Sequence, residues 1–325
     1  MRAVVISAHG GPDVLTVEQL PDPVPAEGEV LVRIEAIGLN HAELYMRSGK
    51  WGDLPRVTGI ECAGVVEDDR SGRFAPGRRV VALMGGMGRT RNGSYAELVT
   101  VPATNVVAVD TALSWTDLVA VPEVYATAWS VLHQNLAVRP GETLLVRGAT
   151  SALGQAVVNV AVDLGATVIG TTRTPAREAL LRDLGAAEVL VDDGALAAQV
   201  ASRGLEVGAV VDLVGNSVLR DSLLCMRPRG RVCQVGFLGG LGPVEGFNPL
   251  TDLPTGVQLS FFGSFVLGTE NFPVEDIPIA ELVARAEAGA FRAKPVRVFR
   301  FEEIAEAHRV MEANEAGGKM VVAVR

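Results

Sequence analysis

Residues 142–172 read ETLLVRGATSALGQAVVNVAVDLGATVIGTT, and the order of their apolar runs sets the fold class of the chain. The run ETLLVRGA predicts a buried strand, SALGQAVVNVAVDLG an amphipathic helix, and ATVIGTT a second strand. Two strands joined by a helix of this length are typical of a βαβ unit, whose strands lie parallel. We therefore predict an α/β fold in which helices cover both faces of a doubly wound parallel sheet.

The same alternation of strands and helices continues after this unit. Further strand-like runs are AEVLVD, VGAVVDLV and GRVCQVGF, and the helical runs between them are TPAREALLRDLG, GALAAQVASR and NSVLRDSLLCM. A glycine- and proline-rich stretch, GGLGPVEGFNP, precedes one more strand-like run, VQLSFFGSFV, at residues 257–266. We predict that the region from about residue 142 to residue 266 belongs to one domain built on this sheet.

Residues before about 115 follow a different pattern. Short β-branched runs, among them RAVVIS, EVLVRIEAIGL, CAGVVED and RRVVAL, are separated by glycine and proline, which predicts an antiparallel, barrel-like domain. The tail of the chain contains an amphipathic helix, a short strand, a second helix and a final strand, KMVVAV. This tail does not extend the α/β alternation.

The composition of the 325 residues excludes several classes of protein. Its 29 basic and 38 acidic residues give a net charge of −9, which disfavours nucleic acid and anionic membranes as partners. Three cysteines are too few for a four-cysteine zinc site, and the chain has no CxxC pair. The sequence shows neither a secretory signal nor an apolar run of roughly 18 residues, so we expect a cytoplasmic protein.

The turn after the first strand of the unit, residues 148–154, reads GATSALG. Small residues here let the backbone approach a pyrophosphate, which the amides at the helix N-terminus then bind. A strict GxGxxG is absent, because Ser151 or Ala152 stands where the middle glycine would be. The surrounding strands and helix still favour a dinucleotide site, and the alternative is a glycine-capped turn without a ligand. The residues assigned to cofactor binding in this turn are Ala149, Thr150, Ser151, Ala152, Leu153 and Gly154.

The end of the second strand indicates which dinucleotide is bound. An NAD enzyme would place Asp or Glu there on the ribose 2′-hydroxyl, whereas this chain has Thr172 and Arg173, with Arg177 one helical turn later. Guanidinium groups bind a 2′-phosphate through charge-assisted hydrogen bonds, so we predict NADPH as the cofactor. The alternative is that both arginines are solvated, with Arg177 paired to Glu178 or Asp183.

Four segments of the chain together resemble one family. They are GLNHAELYMRSG at 38–49, GIECAG at 59–64, YATAW at 125–129 and the turn at 148–154. With these segments the chain resembles, over nearly its whole length, the quinone oxidoreductase branch of the medium-chain dehydrogenase/reductase superfamily. The resemblance implies a GroES-like β-barrel catalytic domain made of residues 1–120 and completed by residues 267–325. It also implies that residues 121–266 form a Rossmann NADPH-binding domain.

The resemblance further implies that the catalytic metal of the zinc alcohol dehydrogenases is missing. Those enzymes have a cysteine where Asn40 stands and a histidine where Ile60 stands. Glu123 stands near the third ligand position, but one carboxylate does not hold a catalytic zinc ion. Cys62, although it follows Glu61, is interpreted as a packed core thiol. We therefore expect no metal.

The substrate-binding residues are also implied by the resemblance. Asn40 and Tyr45 hold the positions of a polar pair that donates hydrogen bonds to the substrate, and Tyr45 can supply a proton. The alternatives are a helix N-cap for Asn40 and a packing role for Tyr45. Trp51 and Phe237 are expected to contact the substrate, although Trp51 can equally be a surface aromatic. His41 is a weaker candidate for the proton donor.

Other implied cofactor contacts lie outside the turn at 148–154. They are Thr127 near the nicotinamide ribose, Gly215, Gly236 and Leu238 in loops at the carboxyl ends of strands, and Lys319 near the nucleotide. The alternatives are a helix-interior hydroxyl for Thr127, glycines that only end strands, and a solvated Lys319.

The chemistry expected of this set of residues is reduction of a conjugated acceptor. Without a metal to polarise a simple ketone, an acceptor that takes hydride at one end and develops charge on a distant oxygen is favoured. We predict a zinc-independent reductase that transfers hydride from NADPH to a quinone or an α,β-unsaturated carbonyl. The alternatives are an enoyl-thioester reductase, with carrier phosphates on the Arg89–Arg91 loop, and a non-catalytic NADPH-binding protein. The 257–266 strand resembles the edge strand of the family's homodimers.

Overall fold

The computed structural model describes residues 1–52 and 54–325, which form two compact units. Unit 1 contains residues 1–126 and 264–325, and unit 2 contains residues 127–263. The chain order of unit 1 is that of the predicted two-segment catalytic domain. The functional boundaries at residues 120 and 266 stay a prediction.

The N-terminal segment of unit 1 is mostly antiparallel sheet. Its strands are β1 (Arg2–Ile6), β2 (Leu15–Gln19), β3 (Glu29–Gly38), β4 (Glu61–Asp69), β5 (Arg79–Leu83), β6 (Leu98–Pro102) and β7 (Val106–Ala108). Its helices are α1 (Ala42–Arg47) and α2 (Trp115–Val119), with short 3-10 turns at Pro12–Val14 and Ala103–Asn105, and α3 (Pro122–Trp129) begins in unit 1 and ends in unit 2. In β3 alternate residues are buried, as a strand with one core-facing side requires.

Unit 2 is built on a six-stranded parallel sheet. Its strands are β8 (Thr143–Arg147), β9 (Thr167–Thr172), β10 (Glu188–Val191), β11 (Val207–Asp212), β12 (Met226–Gln234) and β13 (Gln258–Phe261). Its helices are α4 (Ala152–Asp163), α5 (Glu178–Asp183), α6 (Leu196–Ser202), α7 (Leu219–Leu224) and α8 (Pro249–Asp252), with a π-helical segment at Ser130–Asn135 and a 3-10 turn at Pro175–Arg177. The strand order is β10-β9-β8-β11-β12-β13, so the predicted doubly wound parallel sheet is confirmed.

The C-terminal segment returns to the sheet of unit 1. Its elements are α9 (Ile279–Glu287), β14 (Arg297–Arg300), α10 (Ile304–Glu312) and β15 (Met320–Ala323), with 3-10 turns at Ser264–Val266, Val274–Asp276 and Phe301–Glu303. The sheet order is β14-β15-β3-β4-β5-β7, with β6 also on β3. Because β15 pairs antiparallel with β3, with Val321 opposite Gly38, the residues before β15 lie beside the residues after β3.

Helices in unit 2 are short and mostly cover the parallel sheet. The buried apolar side chains of this sheet and of α6 and α7 form one core cluster, which includes Leu145, Ile169, Leu196 and Leu223.

The longest of the described helices, α4, has 12 residues. No described helix combines the length and apolarity that crossing a membrane requires.

The strand predicted at residues 257–266 is shorter than expected. Only Gln258–Phe261 are extended and paired, and Ser264–Val266 form a 3-10 turn. The reason lies in the neighbouring strand, because Phe261 is opposite Gln234, where β12 ends. The side chains of Leu259 and Phe261 are exposed on this edge strand.

Candidate active site

The predicted dinucleotide turn lies between β8 and α4. The Ser151 hydroxyl accepts a hydrogen bond from the Gly154 N–H at 3.1 Å and so caps α4. Gly154 is tightly packed, because a Cβ there would lie 2.4 Å from the carbonyl oxygen of Gly148 and 2.7 Å from Ala149. The residue that departs from the glycine fingerprint therefore has a local role, and the last glycine is needed for close packing of helix against strand.

The residues predicted to choose the coenzyme follow β9. The Gly148 N–H donates to Thr171 Oγ1 at 3.0 Å, which ties the glycine turn to this strand. Arg173 is exposed and Arg177 half-buried, and neither pairs with a carboxylate of residues 1–52 or 54–325. The alternative pairing of Arg177 with Glu178 is wrong, since Glu178 pairs with another arginine at 3.3 Å. Both guanidinium groups are available to an anionic ligand.

The loops after β11 and β12 meet at the same edge of the sheet. Asp212 at the end of β11 is buried and accepts the Gly215 N–H at 2.8 Å, and Gly215 has a φ of +88°. The Leu238 N–H donates to the Leu213 carbonyl at 3.0 Å, which holds the two loops together. A Cβ at Gly148 would lie 3.3 Å from the Leu213 side chain, so the glycine turn is their neighbour. Parallel strands place their carboxyl ends together, and this is the edge where such sheets bind ligands.

Phe237 and Thr127 occupy different surroundings in unit 2. The Phe237 ring lies 5.9 Å from the ring of Phe261. Thr127 is buried in α3. Gly236 precedes Phe237 in the chain, and the Gly236 N–H donates to the Asp212 carbonyl at 3.2 Å. The roles in cofactor and substrate binding that we assign to these residues stay predictions.

The sequence prediction missed a buried arginine at the start of the glycine turn. Arg147 has no exposed surface, and its guanidinium binds Asp192 through two hydrogen bonds of 2.8 and 2.9 Å and Asp221 at 2.8 Å. The signal was an arginine within the apolar run LLVRG. The ion pairs fix the last residue of β8 and hence the position at which the turn begins.

In unit 1 the pairing of β15 with β3 brings Lys319 to Asn40. The Lys319 ammonium donates to Asn40 Oδ1 at 2.7 Å and to Glu61 Oε1 at 2.5 Å, and the Asn40 amide donates to the same Glu61 oxygen at 3.0 Å. Gly38 leaves room for this carboxylate, because a Cβ there would lie 2.2 Å from Glu61 Oε1. The alternatives from the sequence are wrong: Lys319 is buried, and the N-cap of α1 is His41.

Two buried carboxylates bind the backbone at all three positions where zinc relatives were inferred to carry ligands. Glu43 accepts the N–H of Asn40 at 2.8 Å and the N–H of Ile60 at 3.2 Å. Glu61 accepts the N–H of Glu123 at 2.9 Å through its other oxygen. The residues do not fit a zinc ion, because Asn40 and Ile60 offer no usual ligand and an ammonium group already binds Glu61. Among the described residues, no three His, Cys, Asp or Glu side chains are grouped to hold a metal.

A buried hydrogen-bonded chain leads from α10 to Glu43. Arg47 Nη1 lies 3.2 Å from His308 Nδ1, His308 Nε2 lies 2.9 Å from the Tyr95 hydroxyl, and Tyr95 donates to Glu43 at 2.6 Å. Because arginine only donates, Nδ1 is the acceptor and the neutral ring carries its proton on Nε2. Burial raises the pKa of Glu43 to about 7, and burial together with Arg47 lowers the pKa of His308 to about 3.

The sequence prediction also missed this chain, although its signal was present. Glu43 and Arg47 are charged residues four apart on a six-residue helix that also carries Leu44 and Met46, and His308 is one of four histidines. Charged groups at buried positions require partners, and this rule could have marked them.

These opposite shifts predict a distinctive pH dependence of stability. Between pH 4.5 and 6.5, native Glu43 holds a proton that the unfolded chain lacks, and native His308 lacks one that the unfolded chain holds, so their effects cancel. In Glu43→Gln only the proton that His308 takes up on unfolding remains. The free energy of unfolding should therefore rise in this window by about 1.4 kcal/mol per pH unit relative to wild type.

His308→Asn is the matched opposite case. Only the proton that Glu43 releases on unfolding remains, so the free energy of unfolding should fall with rising pH over the same window at a similar slope. Urea unfolding at three pH values measures both variants against wild type. Parallel pH profiles for the wild type and the two variants would contradict the assignment.

The predicted proton donor, Tyr45, lies in a small aromatic group on and after α1. Its ring is buried, 5.2 Å from the ring of His41 in an edge-on arrangement and 6.1 Å from the ring of Trp51. Burial raises the pKa of Tyr45, which keeps the phenol protonated at neutral pH. Cys62, predicted to be a core thiol, is buried on β4 with its pKa raised by burial.

Comparison with known proteins places both units. The model of the alcohol dehydrogenase GroES-like domain matches residues 26–111, and the model described as zinc-binding dehydrogenase matches residues 184–322. A quinone oxidoreductase of Pseudomonas aeruginosa is 31% identical, with 99% of each chain covered, and a 2-haloacrylate reductase of a Burkholderia species is 30% identical, with 99% of this chain and 98% of the relative covered.

Among solved structures, a mycobacterial protein complexed with NADPH is 29% identical, with a TM-score of 0.88 and complete coverage of both chains. The fold class predicted from the sequence, a GroES-like domain with a Rossmann-type parallel sheet, is confirmed. The chain therefore belongs to the medium-chain dehydrogenase/reductase superfamily, in its zinc-independent quinone oxidoreductase branch.

Proposed function

We propose that this chain is an NADPH-dependent reductase that transfers hydride to a quinone or an α,β-unsaturated carbonyl. The observation that carries the proposal is the Lys319 ammonium bound to Glu61 and Asn40, at the place where zinc relatives were inferred to hold a metal. Activation of the acceptor there falls to hydrogen bonds, which suffice for a conjugated acceptor. The relatives named as a quinone oxidoreductase and a 2-haloacrylate reductase support this class of acceptor.

Unit 2 supplies the residues for the coenzyme. The close packing at Gly154 and the α4 N-terminus fit a pyrophosphate. Arg173 and Arg177, which pair with no carboxylate in the described part of the chain, fit a 2′-phosphate. The complete proposed set is Thr127, Ala149, Thr150, Ser151, Ala152, Leu153, Gly154, Thr172, Arg173, Arg177, Gly215, Gly236 and Leu238, with Lys319 from unit 1. Bound NADPH supplies a hydride, and the acceptor takes its second hydrogen as a proton.

On the acceptor side, we assign the roles of Asn40 and Tyr45 from their surroundings. We assign to Asn40 a hydrogen bond to the acceptor. Its amide nitrogen is held by Glu61 and its amide oxygen by Lys319, which fixes the orientation of the side chain. The protonated Tyr45 phenol donates to the oxygen on which negative charge develops. Trp51, beside Tyr45, and Phe237 bind the flat body of the acceptor.

Two further parts of the proposal concern assembly and location. A homodimer through residues 257–266 would cover the exposed Leu259 and Phe261 on a free sheet edge. Three buried cysteines without disulfide bonds agree with a reducing compartment such as the cytoplasm.

Steady-state oxidation of NADPH tests the proposal. With menadione and with methyl vinyl ketone as acceptors, we expect turnover with NADPH that exceeds turnover with NADH and needs no added zinc. Tight NADPH binding without turnover on either acceptor would instead favour the non-catalytic alternative. Faster use of NADH would overturn the coenzyme assignment.

Removing both coenzyme arginines should reverse the preference for NADPH. In Arg173→Gln/Arg177→Gln, we expect the KM for NADPH to rise about tenfold to a hundredfold while the KM for NADH stays within twofold, since only the 2′-phosphate loses its partners. Arg139→Gln, an exposed arginine of the same unit, is the matched control and should keep both KM values. Equal rises for both coenzymes would show that these arginines do not read the 2′-phosphate.

A further inference from the structure

Arg89 is a cation placed between aromatic rings of unit 1. The central carbon of its guanidinium lies 5.0 Å from the centre of the Trp51 ring and 4.7 Å from that of the Phe265 ring. Stacking on rings uses the π-faces of a guanidinium and leaves the N–H groups at its edge to bind an acceptor in the same plane.

The turn that carries Arg89 is held by its own backbone. The N–H groups of Arg89, Thr90 and Arg91 all donate to the Gly86 carbonyl, at 3.0, 2.9 and 3.2 Å. The next cation along this turn, Arg91, is paired with Glu29 at 2.5 Å. The position of Arg89 is therefore set by the local fold.

No carboxylate of the described residues, 1–52 and 54–325, lies within 4.0 Å of the Arg89 guanidinium. The side chain is half-buried, and burial lowers its pKa, with no acidic group of the described residues opposing the shift. A partly desolvated cation that no described carboxylate neutralises is costly, and binding of an anion relieves that cost.

This cation adjoins the residues proposed to hold the acceptor. Trp51, which contacts Arg89, lies 6.1 Å ring to ring from Tyr45. A second cation, Lys50, lies 5.7 Å from the centre of the Tyr45 ring. An acceptor that binds against Tyr45 and Trp51 would therefore meet positive charge at its far end.

We propose that Arg89 binds an oxyanion carried by the acceptor, so that the preferred acceptors are α,β-unsaturated carbonyl compounds with an acid group. The inference rests on the proposed function and narrows its substrate class. A guanidinium binds carboxylate and phosphate alike through paired hydrogen bonds. The oxyanion is either a carboxylate on the acceptor itself or a phosphate of a coenzyme A thioester, and the test separates the two.

Matched acidic and neutral acceptors test the inference on the purified full chain with NADPH. Acetylacrylate and its methyl ester differ in charge and share the conjugated system, and crotonyl-coenzyme A and crotonyl-N-acetylcysteamine form the thioester pair. We expect wild type to prefer acetylacrylate over its ester by about tenfold or more in kcat/KM. A preference confined to crotonyl-coenzyme A assigns the oxyanion to phosphate.

The variant Arg89→Gln should remove that preference through KM. We expect the KM for the acidic probe to rise about tenfold or more, while the ester and NADPH change less than about twofold. Arg89→Lys keeps the charge without the planar guanidinium, and its KM for the acidic probe should lie between those of wild type and Arg89→Gln. Arg73→Gln removes another arginine that lies over a ring, 5.8 Å from the centre of Phe74, and should behave as wild type.

Three results would overturn the inference: equal use by wild type of the charged and the neutral acceptor in both pairs, equal losses on the two members of the preferred pair in Arg89→Gln, or a raised KM for NADPH in that variant. The comparison of acid with ester in wild type stands even if a variant does not fold. Failure of the proposed function gives a different result, because wild type would then oxidise NADPH with none of the probes, menadione included.

Discussion

Lys319→Met should lower the free energy of unfolding by about 3–5 kcal/mol, as expected when one partner of a fully buried ion pair is removed. The loss leaves the Glu61 carboxylate buried, with hydrogen bonds from Asn40 and the Glu123 N–H but without a cation. The Asn40 amide loses its partner at Oδ1 in the same variant. Chemical denaturation measures the change, and kcat with menadione should fall with it because Asn40 is no longer fixed.

The double variant Glu61→Gln/Lys319→Met separates charge from packing. With both charges removed, we expect recovery of at least about half of the lost stability. Met in place of Arg309, whose pairs with Glu306 and Asp13 lie on the surface, is the matched control and should cost less than about 1 kcal/mol. A cost for Lys319→Met as small as that of the control would refute the buried pair.

Gly154→Ala should damage both folding and coenzyme binding. The added Cβ meets backbone atoms, the Gly148 carbonyl oxygen at 2.4 Å and Ala149 at 2.7 Å, so no side chain can rotate away. We expect a loss of about 1–3 kcal/mol in stability. NADPH affinity should fall about tenfold or more, because the turn must shift away from the amides of α4, which we propose as the pyrophosphate site.

Gly242→Ala provides the control for Gly154→Ala. A Cβ at Gly242 meets no atom within 4 Å, and Gly242 does not have a positive φ. Its stability and its NADPH affinity, measured by fluorescence titration, should stay within experimental error of wild type. If the two alanine variants behave alike, the close contact at Gly154 is not what holds the turn.

The sequence predicted the parts of the fold that depend on local pattern. The run from 142 to 172 shows its strand, turn, helix and strand directly, because buried parallel strands are continuous apolar runs and α4 has a helical period. The predicted end of the strand at 257–266 was wrong. The strand stops at Phe261, because its length depends on where β12 ends and not on the apolar run itself.

The polar interior of unit 1 could not be predicted in the same way. Glu43, Tyr95 and His308 are separated by up to 265 residues and meet only because α1, the segment before β6 and α10 pack together. The resemblance marked Lys319 as a basic position, but its partners follow from the pairing of β15 with β3. Tertiary contacts of this range leave no periodic trace in the sequence.

The Lys319 ammonium also bears on the history of the site. Restoring cysteine at position 40 and histidine at position 60 would place two ligands beside a fixed positive charge that repels a zinc ion. A descendant could regain the metal only after losing Lys319, and that loss by itself leaves Glu61 without its cation. Losing the lysine first costs stability, and gaining the two ligands first places a zinc ion against a positive charge, so the salt bridge opposes a return to the metal.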